Sequence, residues 1–169
     1  MSDEHGLLGG RFKRWLSTVG SRAWLQPIVS NLARVLAPRH RVGVFVAAFD
    51  DDERVLLLRH VLHPAAPWGL PGGWLQHYET PQEAARREFR EETGLAVQVG
   101  PIAQLELEKE PSHITIVFVG RSGSGDMRLG AEIADYGWFA RRQLPAGTAP
   151  FVEEAVEAAI RCHRRGAGR

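Results

Sequence analysis

The stretch GGWLQHYETPQEAARREFREETGL, from Gly72 to Leu95, constrains this chain more than any other. Thr80 precedes Pro81, and Glu83 follows the threonine by three positions, which makes an N-cap, a proline at the first helical position and a capping-box partner. The pattern predicts a helix from Pro81 to Thr93 that stops at Gly94. At about 100° per residue, Glu88, Glu91 and Glu92 share one arc of that helix, with Ala84 and Ala85 on its margins. Like charges three and four residues apart destabilise a helix by a few tenths of a kcal/mol each, so this face asks for a cation. Hard divalent ions take oxygen ligands, and Mg²⁺ is usually held by a few carboxylates together with substrate phosphates; the alanines leave room for such a substrate. For the helix alone, a solvated face with pairs Glu83–Arg87 and Arg87–Glu91 competes with this reading. The flanks tip the balance, because Gly72, Gly73 and Gly94 mark places where the chain turns sharply or approaches something closely.

The surrounding sequence sets this helix in an α/β fold. Val42 to Phe49 and Arg54 to Arg59 are β-rich runs split by the acidic turn Asp50, Asp51, Asp52, a hairpin signal. HPAAPWGLPGGW is dense in Pro and Gly and reads as loop. Beyond the helix, alternation in AQLELEKE and ITIVFVG around Pro111 and Ser112 predicts a second hairpin, and YGWFA one more strand. FVEEAVEAAIRCHRR reads as a closing helix with Val152, Ala155, Val156, Ala159 and Ile160 inward. Hairpins around a central helix give a mixed sheet without regular βαβ winding. Upstream, apolar residues recur at helical spacing from Gly10 to Ala37, broken at Gln26 and Pro27. That predicts an N-terminal helical extension of two helices over residues 1–40, followed by one domain at 41–165; a length of 169 residues suits one such domain.

Charge and cysteine usage narrow the function classes. Lys plus Arg number 21 and Asp plus Glu 20, so nothing calls for a stable nucleic acid complex. Up to Val42, however, seven basic residues stand against two acids. With Trp15 and Trp24 they would suit an anionic membrane surface, but two amphipathic helices more often pack on their own domain or on a second copy. A homodimer is therefore the expected assembly. The single cysteine, Cys162, fits a reducing compartment, and no signal-peptide core or spanning segment is apparent, so the expected location is cytoplasmic.

Counted from Gly73, the chain reads glycine, five residues, Glu79, seven residues, then Arg87, Glu88, Phe89, Arg90, Glu91, Glu92, Thr93, Gly94 and Leu95. This resembles the signature of the Nudix (MutT-like) hydrolases, with Phe89 departing from it where the family has Ile, Leu or Val. WGLPGG and EIADYGWF are also similar to the family, so the resemblance runs from Val42 to about Ile160. It implies an α/β/α sandwich and metal-dependent hydrolysis, with Mg²⁺ or Mn²⁺, of a diphosphate bond in a nucleoside diphosphate linked to another group. Nucleoside triphosphates, ADP-ribose and nucleotide sugars are substrates of this type. By the same resemblance the metal site would comprise Gly73, Glu79, Glu88, Glu91 and Glu92. Arg87 would orient a glutamate, and Glu91 or Glu132 would act as general base.

Substrate contacts are less specified. Arg59 could meet a phosphate, Trp68 and Tyr78 could stack on a base or sugar, and His77 and His113 could supply polar contacts. Pro111 lies sixteen residues past Leu95, roughly where ADP-ribose hydrolases of the family carry a proline, although a hairpin turn explains it equally well. A different class of function, a catalytically weak Nudix-like module that senses or binds a nucleotide, would not need the complete set Arg87, Glu88, Glu91 and Glu92.

Overall fold

Alternation along the central strands sends side chains to both faces of one sheet. In the computed structural model, which describes residues 40–109, 112–123 and 125–167, strand β1 (Arg41–Phe49) directs Val44, Val46 and Ala48 to one side and Ala47 and Phe49 to the other. Strand β2 (Val55–His60) does the same with Leu56 and Leu58 against Val55 and Leu57. Both faces are covered, which is why these strands read as near-continuous apolar runs. Helix α1 (Pro81–Thr93) closes one face with Ala84, Ala85 and Phe89, and helix α2 (Pro150–Ala167) closes the other with Val152, Ala155, Val156 and Ala159. Ile160 is only half-buried at the edge of that second core. The result is the α/β/α sandwich.

The remaining strands are β3 (Trp68–Gly69), β4 (Gly72–Trp74), β5 (Val97–Lys109), β6 (Ser112–Ser122) and β7 (Ile133–Phe139). The order runs β3-β2-β1-β6-β5, with β4 also on β1 and β7 also on β2. β1 and β6 pair in parallel from Arg41 opposite His113 to Phe49 opposite Arg121; the other pairings are antiparallel. The β1–β2 turn forms as its aspartates suggest: Asp50 Oδ1 accepts from the backbone N–H groups of Asp52 at 3.0 Å and Arg54 at 2.8 Å.

Three details differ from the sequence reading. The Pro/Gly stretch holds two short strands, because Pro71 O accepts the Val46 N–H at 2.9 Å and Leu75 N–H reaches Val42 O at 2.8 Å, zipping β4 onto β1. β5 begins at Val97, its alternation hidden by register shifts between Val99 and Gln104. Ala84 and Ala85 are fully buried, so their small size admits the sheet and leaves no room for substrate. The helices expected within residues 1–40 and the turn at Pro111 lie outside the described residues. No helix among the described residues is long and apolar enough to cross a membrane.

Candidate active site

Helix α1 begins and ends where its caps dictate. Thr80 Oγ1 accepts from the Glu83 N–H at 3.3 Å, the Thr80 N–H donates to Glu83 Oε2 at 2.7 Å, and Gly94 ends the helix at φ 72° with its N–H on Arg90 O. Phe89 is fully buried in the core beneath α1, so the residue that departs from the family pattern acts in packing. One side of the helix then meets β4, a strand without side chains at Gly72 and Gly73. A Cβ on Gly73 would stand 2.5 Å from Glu88 Cδ and Oε1, so the absent side chain is what lets this carboxylate lie against the strand. One turn further, Glu92 Oε2 accepts the Gly72 N–H at 2.9 Å.

Arg87 ties the acids together. Its Nη2 and Nε donate to the two oxygens of Glu79 at 2.8 and 3.1 Å, and its Nη1 donates to Glu88 Oε1 at 2.8 Å and to Glu91 Oε2 at 3.3 Å. Glu79 in turn accepts the Gln76 N–H at 2.7 Å. The Arg87 hydrogen bonds hold the Glu79 carboxyl below its ordinary range, and Glu79 foremost raises the arginine. Glu83 belongs to the cap through Thr80 and not to an intrahelical pair with Arg87.

Glu92 is the opposite case. Burial pushes its carboxyl up to about 8, the Gly72 N–H opposes that, and the neighbouring charges of Glu88, Glu132 and Glu91 push it further. A carboxyl raised in this way gains its full charge at neutral pH when a cation joins it, and an all-oxygen donor set fits Mg²⁺ or Mn²⁺. Among the described residues no three acidic, histidine or cysteine side chains already converge as a cage, since Glu91 is turned outward onto Arg87.

Glu88, Glu92 and Glu132 line a cleft of about 780 Å³ together with Phe45, Trp68, Trp74 and Phe151. Glu132 thus joins the box acids although forty residues separate it from Glu92. Trp68 lines the cleft while its ring packs edge-on against Phe139 at 5.3 Å. The other expected substrate contacts are not among the lining residues. Arg59 is exposed on β2, where it opposes Trp68 and Asp135. Tyr78 is fully exposed at φ 67°, with His77 beside it at 6.2 Å. His113 meets Trp74 edge-on at 5.5 Å, on the strand neighbouring β1. Two histidines that the sequence reading passed over, His60 and His63, do line the cleft. Burial, then His63, lowers the His60 imidazole, and Glu132 opposes them. His60 shares the parity of Leu56 and Leu58 along β2, a signal that becomes informative only once the folded sheet shows which parity faces the cleft.

A carboxylate-bearing helix is docked on a glycine strand beside a cleft with aromatic walls, and its donors are of the type that accept a hard cation. The NUDIX domain family matches residues 39–160. Over 101 residues the chain is 31% identical to a MutT-like protein of Streptomyces ambofaciens, covering 60% of this chain and 64% of that protein. It is 32% identical over 108 residues to the human 8-oxo-dGDP phosphatase NUDT18, covering 60% of this chain but 33% of that protein. The chain therefore spans less than two thirds of either relative. The crystal structure of a MutT NUDIX hydrolase from Burkholderia pseudomallei superposes with a TM-score of 0.63 at 28% identity, over 72% of this chain and 98% of that one. The chain belongs to the Nudix hydrolase family.

Proposed function

We propose that the protein hydrolyses a diphosphate linkage in a nucleoside diphosphate joined to a second group, with Mg²⁺ or Mn²⁺ as cofactor. The observation that carries this reading is the placement of Glu88 and Glu92 against the glycine strand in a cleft whose other walls are largely apolar and aromatic. The acids suit a cation-neutralised diphosphate, and Phe45, Trp68 and Phe151 suit the flat part of a nucleoside. One relative is named as an 8-oxo-dGDP phosphatase, a name that puts a nucleoside diphosphate in the substrate, which supports the reading.

Glu88 and Glu92, joined by Glu91 once it leaves Arg87, would hold the ion, and Gly73 leaves the space in which the Glu88 carboxylate lies against β4. When bound, the ion neutralises the diphosphate and acidifies a water for attack. Arg87 positions the Glu88 carboxylate through the 2.8 Å hydrogen bond, with Glu79 anchoring the guanidinium from behind. Gly72 N–H holds the Glu92 oxygen in place. Glu132, on the cleft wall, accepts the proton of the attacking water, a task for which the outward-turned Glu91 is less well placed.

The test is turnover of nucleoside triphosphates, ADP-ribose and nucleotide sugars with Mg²⁺ or Mn²⁺, reading released phosphate and nucleoside monophosphate. Chelator-sensitive release from at least one of them is expected, and Glu92→Gln should reduce it on the order of 10²-fold or more in a folded protein. A folded, metal-binding protein that turns over none of them would instead be a nucleotide-sensing module.

A further inference from the structure

Among the described residues lining the cleft, the charged side chains are Glu88, Glu92 and Glu132, and none is Lys or Arg. His60 and His63 in that lining present imidazole N–H groups that can donate to a phosphate oxygen without needing to be charged. A diphosphate brings at least two negative charges into a site already rich in carboxylates, so protein groups that favour it over water are scarce there. We infer that His60 and His63 bind phosphate oxygens of the substrate, an inference that rests on the hydrolase reading above.

The fold builds a place for both rings. His60 continues the face of β2 that carries Leu56 and Leu58, while Arg59 belongs to the opposite parity. The register shift against β7 falls between Arg59 and His60, where Arg59 opposes Asp135 and His60 opposes Ile133. That extra residue in β7 lets Glu132 O accept the Val61 N–H at 2.9 Å, which joins the histidine strand to the Glu132 turn. Gly69 lies beneath the ring: a Cβ there would come within 3.2 Å of His60 Nε2. His63 sits on the loop between β2 and β3, whose ends are tied by the His60 N–H to Pro67 O at 2.8 Å and whose freedom is reduced by Pro64 and Pro67. The two rings lie 6.0 Å apart at 68°, close enough to address neighbouring oxygens of one phosphate group. His63 is exposed and His60 half-buried, so one ring meets solvent and the other forms wall.

The experiment compares His63→Ala, His60→Gln and the double variant with the wild type, in steady-state kinetics and in calorimetric titration of inorganic pyrophosphate with Mg²⁺. The expected result is a KM raised about tenfold per histidine with kcat within about threefold, and pyrophosphate affinity weakened in parallel. His63 is exposed, so its removal leaves the fold intact even where His60→Gln perturbs it. Pyrophosphate affinity unchanged in the double variant, absent in the wild type, or a loss confined to kcat would overturn the inference. Histidine-dependent pyrophosphate binding without turnover of any nucleotide would sustain it and remove the hydrolase reading.

Discussion

Gly72 and Gly73 are neighbours on β4 and lack side chains for different reasons. A Cβ on Gly72 would stand 2.2 Å from the Val44 carbonyl oxygen and 2.7 Å from Phe45 Cα, both main chain of the central strand and unable to yield. On Gly73 its three nearest neighbours would all be atoms of the Glu88 carboxyl group, the tip of a flexible side chain. Gly72→Ala should therefore destabilise the protein by about 2–4 kcal/mol. Gly73→Ala should leave stability within about 1 kcal/mol of the wild type while displacing the Glu88 carboxylate, and turnover should fall roughly 100-fold, the usual consequence of a misplacement near 1 Å. Thermal denaturation and initial rates on the same preparations separate the two effects. A Gly73→Ala protein with unchanged turnover would show that Glu88 need not lie against the strand.

Elements made by local rules were readable in the sequence, and those made by distant pairing were not. Helix α1 runs from Pro81 to Thr93 as its cap residues predict, because Thr80, Glu83 and Gly94 decide its ends within a single turn. Thr80→Ala should accordingly cost about 1 kcal/mol of stability, measured by denaturant titration, with the midpoint shifted and the slope unchanged. An unaltered midpoint would mean that Pro81 and packing of α1 suffice without the cap. β3 and β4 escaped notice because two or three residues between prolines carry no periodicity of their own and become strand only by bonding to β2 and β1. The site divides in the same way. Glu88, Glu91 and Glu92 share one helix arc and could be grouped from spacing alone, and the Nudix resemblance added Arg87 to them. Glu132 comes from the turn before β7, His60 from the end of β2 and His63 from the β2–β3 loop, and they meet only through the β2–β7 pairing of the folded sheet, which the Val61 to Glu132 hydrogen bond extends. Arg59 rather than His60 was singled out because sequence shows that strand residues alternate but not which parity faces the cleft.

At the scale of the whole molecule, Glu92 links the site to stability. Its carboxyl titrates near 8 in the folded, metal-free protein and near its ordinary value of 4.5 when unfolded. Between those values the folded state binds a proton that the unfolded state has released, so stability falls as pH rises through this window and then levels off. Below about 4.5 both states are protonated and the penalty is absent. Glu92→Gln removes the titrating group, and with chelator present it should be more stable than the wild type at pH 8.5 by on the order of 1–3 kcal/mol, a figure discounted for partial exposure, with the two converging near pH 4.5. Mg²⁺ competes with that proton, so the thermal shift it gives the wild type should grow from pH 6 to pH 8.5 and be much reduced in Glu92→Gln. Melting curves across pH, with and without Mg²⁺, measure all of this. A Glu92→Gln protein less stable than the wild type at pH 8.5 would mean that the Gly72 hydrogen bond outweighs desolvation. If it is instead more stable and inactive, the carboxylate is kept for the cation at the expense of the fold, as a functional site allows.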